Sequence, residues 1–237
     1  MPNDLFQTPK PKDKKPHHSG HRQRLRDRFI KSGPDALADY ELLELILFLA
    51  IPRRDVKPLA KDLIEHFGSF NKVFHASASE LMAVNGISEN TATAILSIKA
   101  AALRLMKQDL ENKPILSSWA QLIDYCSVAL AHEKEEQFRV LYLNRKNHLL
   151  SDEILNKGTV DQAAVYPREV VKRGLDLGAS AMILVHNHPS GDSSPSEADV
   201  EMTQSIIDAS MPMGLSVHDH IIISKKGHSS LRNAGLM

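Results

Sequence analysis

The 237-residue sequence contains a single cysteine, Cys126. One cysteine cannot form an intramolecular disulfide, and it excludes a zinc site built from paired cysteines. Long apolar runs are also lacking, because the most apolar window, residues 42–51, is too short to span a bilayer and contains Glu44. The first residues include no apolar signal core. The sequence therefore predicts a cytoplasmic protein.

Common nucleotide-binding and protease motifs are missing too. The sequence has no P-loop, no glycine-rich dinucleotide loop and no helical His-Glu-x-x-His segment. Charge is balanced over the chain, with 29 basic and 29 acidic residues, but residues 10–31 are strongly basic. Residues 1–20 are predicted to be a disordered basic arm that can bind nucleic-acid phosphates. A tail that only improves solubility explains the same charge.

Several polar residues follow an apolar segment near position 186. Residues 181–185 predict a buried strand, and His186 and His188 come at its end. Residues two apart in a strand point to the same side, and the next loop can bring Asp199 to them. Two imidazoles and one carboxylate form a three-ligand set for zinc that leaves a fourth position to water. Ser196 and Asp199 also suit the first turn of a helix, so a capping role is the structural alternative to metal binding. The two roles are compatible, because a capped helix start also holds a ligand rigidly.

The spacing of these residues resembles a known motif. From His186 to Asp199 the chain has His-x-His-Pro, six residues and Ser-x-x-Asp, which resembles the JAMM (MPN-type) metalloprotease motif. Asn187-His-Pro-Ser-Gly191, Tyr166-Pro-Arg-Glu-Val170 and Asp219-His220 are similar to RadC family sequences, so the resemblance covers nearly all of the C-terminal half. It implies hydrolysis of an amide bond in a peptide or protein substrate. The zinc ligands would be His186, His188 and Asp199.

The JAMM pattern also requires a glutamate upstream of the ligands. Glu153 is predicted for this role, since Glu153 followed by four residues and Gly-Thr resembles the RadC pattern. It would accept the proton of the attacking water. Glu133 and Asp152 compete with it, but Glu133 lies in a charged run, residues 132–136, that is typical of a solvated helix end or turn, and Asp152 falls on the other strand face. The JAMM pattern gives Ser196 a hydrogen bond to the developing oxyanion.

Helical patterns fill residues 21–108, which are predicted to form a helical domain. Pro34 and Pro52 bracket one predicted helix, and residues 56–67 form a second one that is ended by Gly68. The apolar face predicted for the first helix contains Leu37, Leu42, Leu45, Ile46 and Leu49.

Residues 79–96 resemble a helix-hairpin-helix, two short helices around a turn at residues 85–88. Such a turn directs backbone N–H groups to a nucleic-acid phosphate, so DNA is a predicted partner. The family pattern has a second glycine where this chain has Ser88, whose side chain limits close approach of the backbone. A helical packing module is the alternative.

Strands and helices alternate in residues 115–237, after a linker predicted at residues 107–118. Strands are predicted at residues 137–143, 148–155, 181–185 and 215–224, and helices at residues 167–177 and 196–211. This order predicts an α+β or three-layer α/β domain, and the JAMM resemblance implies a cytidine-deaminase-like arrangement.

A second His-x-His pair, His218 and His220, lies near the end of the chain. It is predicted to have a structural role or to orient a ligand, because no carboxylate accompanies it at ligand spacing except Asp219, which faces away. The alternative function for the whole chain is a DNA-binding or DNA-repair accessory protein with a structural zinc site.

Overall fold

The computed structural model describes residues 20–158 and 165–237. It divides into two compact units, Met1–Leu96 and Ser97–Met237. The basic arm predicted at residues 1–20 lies outside the described residues, apart from Gly20. Within the described ranges, no helix is both long enough and apolar enough to cross a membrane.

The first unit consists of short helices around one apolar core. They are α1 (His21–Ser32), α2 (Asp39–Ala50), α3 (Lys57–Phe67), α4 (Phe70–His75), α5 (Ala78–Ala83) and the start of α6 (Glu89–Glu111), with a 3₁₀ turn at Pro34–Ala36. The helix predicted at residues 56–67 is confirmed as α3, which ends at Gly68 in the left-handed conformation, φ 87°. The core holds mainly leucine side chains from these helices, together with alanine, valine, phenylalanine and isoleucine.

Helix α2 starts later than predicted and buries a different face. Pro34 opens only the 3₁₀ turn, and the α-helix begins at Asp39. Leu43 and Leu47 are fully buried, whereas Leu49, predicted on the apolar face, is 76% exposed. Residues four apart share one side of a helix, and a residue two further on points away from it. The predicted face was therefore wrong at Leu49 and right in part, since Leu45 and Ile46 pack against the core. This apolar segment offers several faces, and packing on α3 selects the one centred on Leu43 and Leu47.

The second unit is built on a five-stranded mixed sheet. Its elements are the rest of α6, α7 (Trp119–Leu130), β1 (Glu136–Leu143), β2 (Leu149–Gly158), α8 (Pro167–Asp176), β3 (Ala181–Asn187), α9 (Glu197–Ser210), β4 (Ser216–Ser224) and β5 (Gly227–Ser230), with 3₁₀ turns at Ile115–Ser118 and Met211–Met213. The strand order is β2-β1-β3-β4-β5, and only β3 and β4 are parallel. Helix α6 continues to Glu111, so the first part of the predicted linker is helical.

Helices cover both faces of this sheet. On one face, odd-numbered residues of β3 such as Ile183 and Val185 pack against α7 and the end of α6. On the other, Met182 and Leu184 pack against side chains of α8 and α9. Side chains alternate along a strand, so His186 follows the second face, toward α9. This arrangement confirms the predicted helical N-terminal region followed by an α+β domain.

Candidate metal centre

The predicted ligands meet where β3 ends and α9 begins. His186 is the penultimate residue of β3, His188 follows the strand, and Asp199 lies in the first turn of α9. The Nε2 atoms of the two histidines are 2.9 Å apart. The Oδ1 atom of Asp199 lies 3.1 Å from Nε2 of His186, and its Oδ2 atom lies 3.4 Å from Nε2 of His188. The structure thus brings all three predicted ligands to one point.

Asp199 is oriented by the start of its own helix. Ser196 is the N-cap of α9, and both its backbone N–H and its hydroxyl donate to Oδ2 of Asp199, at 2.8 and 2.7 Å. In return the backbone N–H of Asp199 donates to the Ser196 hydroxyl at 3.2 Å, which completes a capping box. Burial alone would raise the pKa of Asp199, but the neighbouring imidazoles of His186 and His188 hold it well below its usual range. Asp199 is therefore a carboxylate.

A hydrogen bond holds the ring of His188 in the tautomer that can bind a metal ion through Nε2. Its Nδ1 atom is 2.8 Å from the backbone carbonyl oxygen of Asp192, which only accepts hydrogen bonds. Nδ1 therefore carries the proton, and Nε2 of the neutral ring presents its lone pair to the cluster. The hydrogen bond with Asp199 raises the pKa of His188, because it favours the protonated ring. A metal ion bound at this cluster would thus compete with a proton for Nε2 of His188.

A fourth residue, Glu136, completes the cluster. It is the first residue of β1, and its Oε1 atom is 3.9 Å from Nε2 of His186. Burial raises its pKa above the ordinary value for glutamate. The side chain of Asn187 holds β1 on both sides of Glu136, accepting from the N–H of Gln137 at 2.9 Å and donating to the carbonyl of Glu135 at 3.1 Å. The backbone of β1 is therefore held so that Glu136 lies beside the two histidines.

The chemistry of this donor set fits a divalent metal ion. Glu136, His186, His188 and Asp199 each offer one ligand atom, and these atoms lie within 4.8 Å of one another. Imidazole nitrogens and carboxylate oxygens are standard metal ligands. The two Nε2 atoms and the Asp199 carboxylate are all electron donors that face one region, so they repel one another unless a proton or a cation lies between them. A cation at that point satisfies all three.

The structure does not bring Glu153 to this cluster. Glu153 lies on β2 opposite Val140 of β1, and Val140 in turn pairs with Leu184, so a whole strand separates Glu153 from β3. Its carboxylate accepts from Nε of Arg173 at 2.8 Å and from Nη2 at 2.6 Å. The hydrogen bonds from Arg173 lower its pKa. In the described chain Glu153 belongs to an ion pair with α8, and Glu136 is the glutamate beside the predicted ligands.

Sequence reasoning overlooked Glu136 because it belongs to a charged run that was interpreted as a solvated helix end or turn. Strand alternation indicates on which face of β1 Glu136 lies, and the register of the sheet then places it. Phe138 pairs with His186 in the antiparallel register of β1 and β3. If that register continues, the residue two earlier in β1 comes opposite the residue that directly follows β3. That pair is Glu136 and His188. The strand predicted from residue 137 has to begin one residue earlier, at Glu136, to include this glutamate.

The other carboxylates and the second histidine pair lie elsewhere. Asp152 faces the opposite side of the sheet, as predicted, and accepts from Nη1 of Arg139 at 2.6 Å. His218 contacts Asn147, with 2.8 Å between Nε2 and Oδ1. His220 is fully buried behind the cluster, with its Nε2 atom 2.7 Å from Nδ1 of His186. Burial and the neighbouring His186 lower the pKa of His220 far below the ordinary value.

Two family models match this chain. The RadC-like JAB domain matches residues 116–236, about half of the sequence, and the UPF0758 N-terminal domain matches residues 17–93. The chain belongs to the RadC family. The resemblance found in the sequence is thereby confirmed, including a C-terminal domain of the JAB/MPN type. Domains of this type are typically metal-dependent, and the whole Glu-His-His-Asp cluster of this RadC family member lies inside the matched range.

Proposed function

We propose that this chain is a zinc-dependent hydrolase that cleaves an amide bond in a peptide or protein. The observation that carries the proposal is the convergence of His186, His188 and Asp199, with Glu136 alongside. Two imidazoles and one carboxylate leave a fourth tetrahedral position, which is typical of catalytic zinc sites. Zinc held there would supply a Lewis acid that lowers the pKa of a bound water toward about 7 and polarises the substrate carbonyl.

Glu136 is the proposed general base, in place of Glu153. Its carboxylate adjoins the cluster, and its side chain remains 23% exposed, so water and substrate can reach it. The pKa of Glu136 is raised by burial, which makes it a better proton acceptor near neutral pH than an ordinary glutamate. Glu136 would take a proton from the attacking water and deliver it to the leaving amine. Glu153 is unsuited, because its lowered pKa and its bond to Arg173 both reduce its basicity.

Ser196 is the proposed donor to the oxygen on which negative charge develops. Its hydroxyl lies at the cluster but has a single proton, which goes to Asp199 Oδ2 in this structure. To stabilise an oxyanion, the hydroxyl has to turn from Asp199 toward the substrate. The backbone N–H of Ser196 continues to hold Asp199 Oδ2 during this rotation. Ser196 would therefore stabilise the transition state without giving up the geometry of Asp199.

Two glutamate variants test this proposal as a matched pair. The full chain and its Glu136→Gln and Glu153→Gln variants are loaded with zinc and incubated with an unbiased peptide library, and new amino termini are read by mass spectrometry. Glu136→Gln should retain zinc and lose about 10²–10⁴-fold in cleavage rate, the usual contribution of a general base. Glu153→Gln should cleave at nearly the wild-type rate. Equal activity of wild type and Glu136→Gln would reject the assigned base, and a silent wild type would reject the peptide substrate.

A second candidate function, DNA contact through the helical unit, rests on the turn around Gly86. Gly86 has φ 93° and connects α5 to α6, as in a helix-hairpin-helix. The guanidinium of Arg54 lies against this turn, since a Cβ built on Gly86 would be 2.7 Å from Nη2 of Arg54. We propose that Arg54 supplies a phosphate contact at the turn where Ser88 limits close approach of the backbone.

Fluorescence anisotropy with a duplex of random sequence, measured across a salt series, tests this contact. Arg54→Ala should lower affinity at low salt and reduce the slope of log affinity against log salt by about 1, since one phosphate contact is lost. Arg145→Ala removes an exposed arginine from the turn between β1 and β2 and serves as the control. Equal losses in both variants would mean that only overall charge matters, and no binding at low salt would reject the DNA role.

A further inference from the structure

A chain of hydrogen bonds runs behind the cluster, from one predicted ligand to another. Nδ1 of His186 is 2.7 Å from Nε2 of His220. Nδ1 of His220 is 2.5 Å from Oγ1 of Thr203, and the same hydroxyl is 2.5 Å from the backbone carbonyl oxygen of Asp199. All four residues are buried. These hydrogen bonds therefore connect β3, β4 and α9 through groups that are shielded from water.

The direction of each hydrogen bond in this chain follows from its fixed end. A carbonyl oxygen has no proton, so the Thr203 hydroxyl donates to Asp199, four residues earlier in α9, as helical threonines commonly do. The Thr203 oxygen is then the acceptor for a proton on Nδ1 of His220. A neutral imidazole carries one ring proton, so Nε2 of His220 is an acceptor and Nδ1 of His186 must be the donor. His186 consequently has its Nε2 lone pair directed at the cluster.

We propose that Thr203 and His220 are positioning residues that fix the tautomer of His186 and so prepare its Nε2 atom to bind the metal. The inference rests on the metal site of the proposed function and assigns roles to two residues that do not touch the metal. Partners of this kind orient metal-bound histidines, and losing them typically costs about 10–100-fold in metal affinity. His220 stays in place because β4 is hydrogen-bonded on both sides, to β3 and β5.

Among the groups in this series of hydrogen bonds, the Thr203 hydroxyl can be removed with the least disturbance of the fold. Thr203→Val replaces the hydroxyl with a methyl group of similar size, so the packing of α9 against the sheet is largely kept. His220 then loses the acceptor for its Nδ1 proton, and the tautomer with a proton on Nε2 is no longer disfavoured. That proton would face Nδ1 of His186 and force the His186 proton onto Nε2, the atom that the metal needs. Thr203→Ser keeps the hydroxyl and is the matched control.

Zinc affinity and ring tautomers are the two measurements. Affinity is obtained from competition with a chromophoric chelator, using the full chain, and the tautomer of His186 from long-range ¹H–¹⁵N correlation of the histidine rings. Thr203→Val should bind zinc about 10–100-fold more weakly, with the His186 proton moved to Nε2 in the zinc-free protein. Thr203→Ser should match wild type in both. Unchanged affinity and an unchanged His186 ring in Thr203→Val would overturn the inference.

Variants of His220 provide a second, independent series. His220→Leu removes both ring nitrogens and should weaken zinc binding at least as much as Thr203→Val. His220→Gln offers an oxygen for the His186 proton and an N–H for Thr203, so it should recover part of the affinity. Equal affinities for the Leu and Gln variants would indicate a packing role and overturn the inference. If the wild-type chain binds no zinc, the proposed function fails, while the His186 tautomer in Thr203→Val still decides the inference.

Discussion

The two His-x-His segments, residues 186–188 and 218–220, have the same spacing and opposite outcomes. In the first, both rings reach one cluster, with their Nε2 atoms 2.9 Å apart. In the second, the rings separate, because His218 contacts Asn147 and His220 contacts His186. Their electrostatics also differ, since Asp199 raises the pKa of His188 whereas burial, aided by Arg232, lowers the pKa of His218. Spacing alone therefore does not define a metal site.

Strand regularity explains the difference. In the parallel pairing of β3 and β4, Met182 is opposite Val217 but Ile183 is opposite Asp219, so His218 is an extra residue in β4. A bulge of this kind breaks the alternation of side chains. The pairing of β1 with β3, by contrast, runs without a shift from Leu143 to Phe138. Two residues two apart share a face only in a regular stretch such as the one that carries His186.

The central residues of the two segments hold different parts of the fold. Asn187 bonds to the backbone of β1 on both sides of Glu136, so it organises the cluster. Asp219 accepts from the hydroxyl of Ser230 at 2.6 Å and from the backbone N–H of Arg232 at 3.2 Å, which ties β4 to the chain end. The first segment thus shapes a site, and the second stabilises the sheet behind it.

The largest expected effect separates the two histidine pairs by metal content. The double variant His186→Ala, His188→Ala should retain essentially no zinc after dialysis, because it lacks two of the three proposed ligands. His218→Gln should keep about one zinc per chain, as wild type is expected to do, since His218 contacts Asn147 rather than the cluster. Elemental analysis of the purified proteins measures both. Full zinc content in the double variant would break the comparison and remove the site.

The sequence predicted those features of the fold that depend on residues close together in the sequence, such as helix starts and helix ends. The capping box at Ser196 and the end of α3 at Gly68 are local, and both were predicted correctly. The buried face of α2 was predicted only in part, because it depends on packing between helices. Strand β5 is only four residues long and forms by pairing with β4, so periodicity carries little signal for it.

The candidate site was predictable only in the part that is close in sequence. His186, His188 and Asp199 fall within fourteen consecutive residues, and their strand-loop-helix context makes their convergence foreseeable. Glu136 comes from β1, fifty residues before His186, and only the register of the sheet places it there. The pairing of Glu153 with Arg173 likewise depends on how α8 packs against β2. The spacing of residues along the sequence does not predict tertiary contacts of this sort.

A smaller effect is expected at the centre of the second segment. Asp219→Ala leaves the buried hydroxyl of Ser230 and the N–H of Arg232 without their acceptor, so the free energy of unfolding should fall by about 1–3 kcal/mol. Asp219→Asn keeps the shape and one acceptor oxygen, and should lose less. Urea denaturation with a chelator present measures both variants. If Asp219→Ala were as stable as wild type, the stabilising role given to the second segment would be wrong.

The smallest effect is a pH dependence at His218, whose pKa is lowered first by burial and then by the charge of Arg232. A histidine with a lowered pKa in the folded state binds its proton more readily when unfolded, so its contribution to stability is present above about pH 6.5 and is lost as the pH falls. His218→Gln keeps a donor for Asn147 but does not titrate. The unfolding free energy of wild type relative to His218→Gln should therefore fall by less than about 1 kcal/mol between pH 8 and pH 5, since partial exposure screens the charge. Urea titrations of both proteins at four pH values measure this difference, and a difference that grows on acidification would contradict the environment assigned to His218.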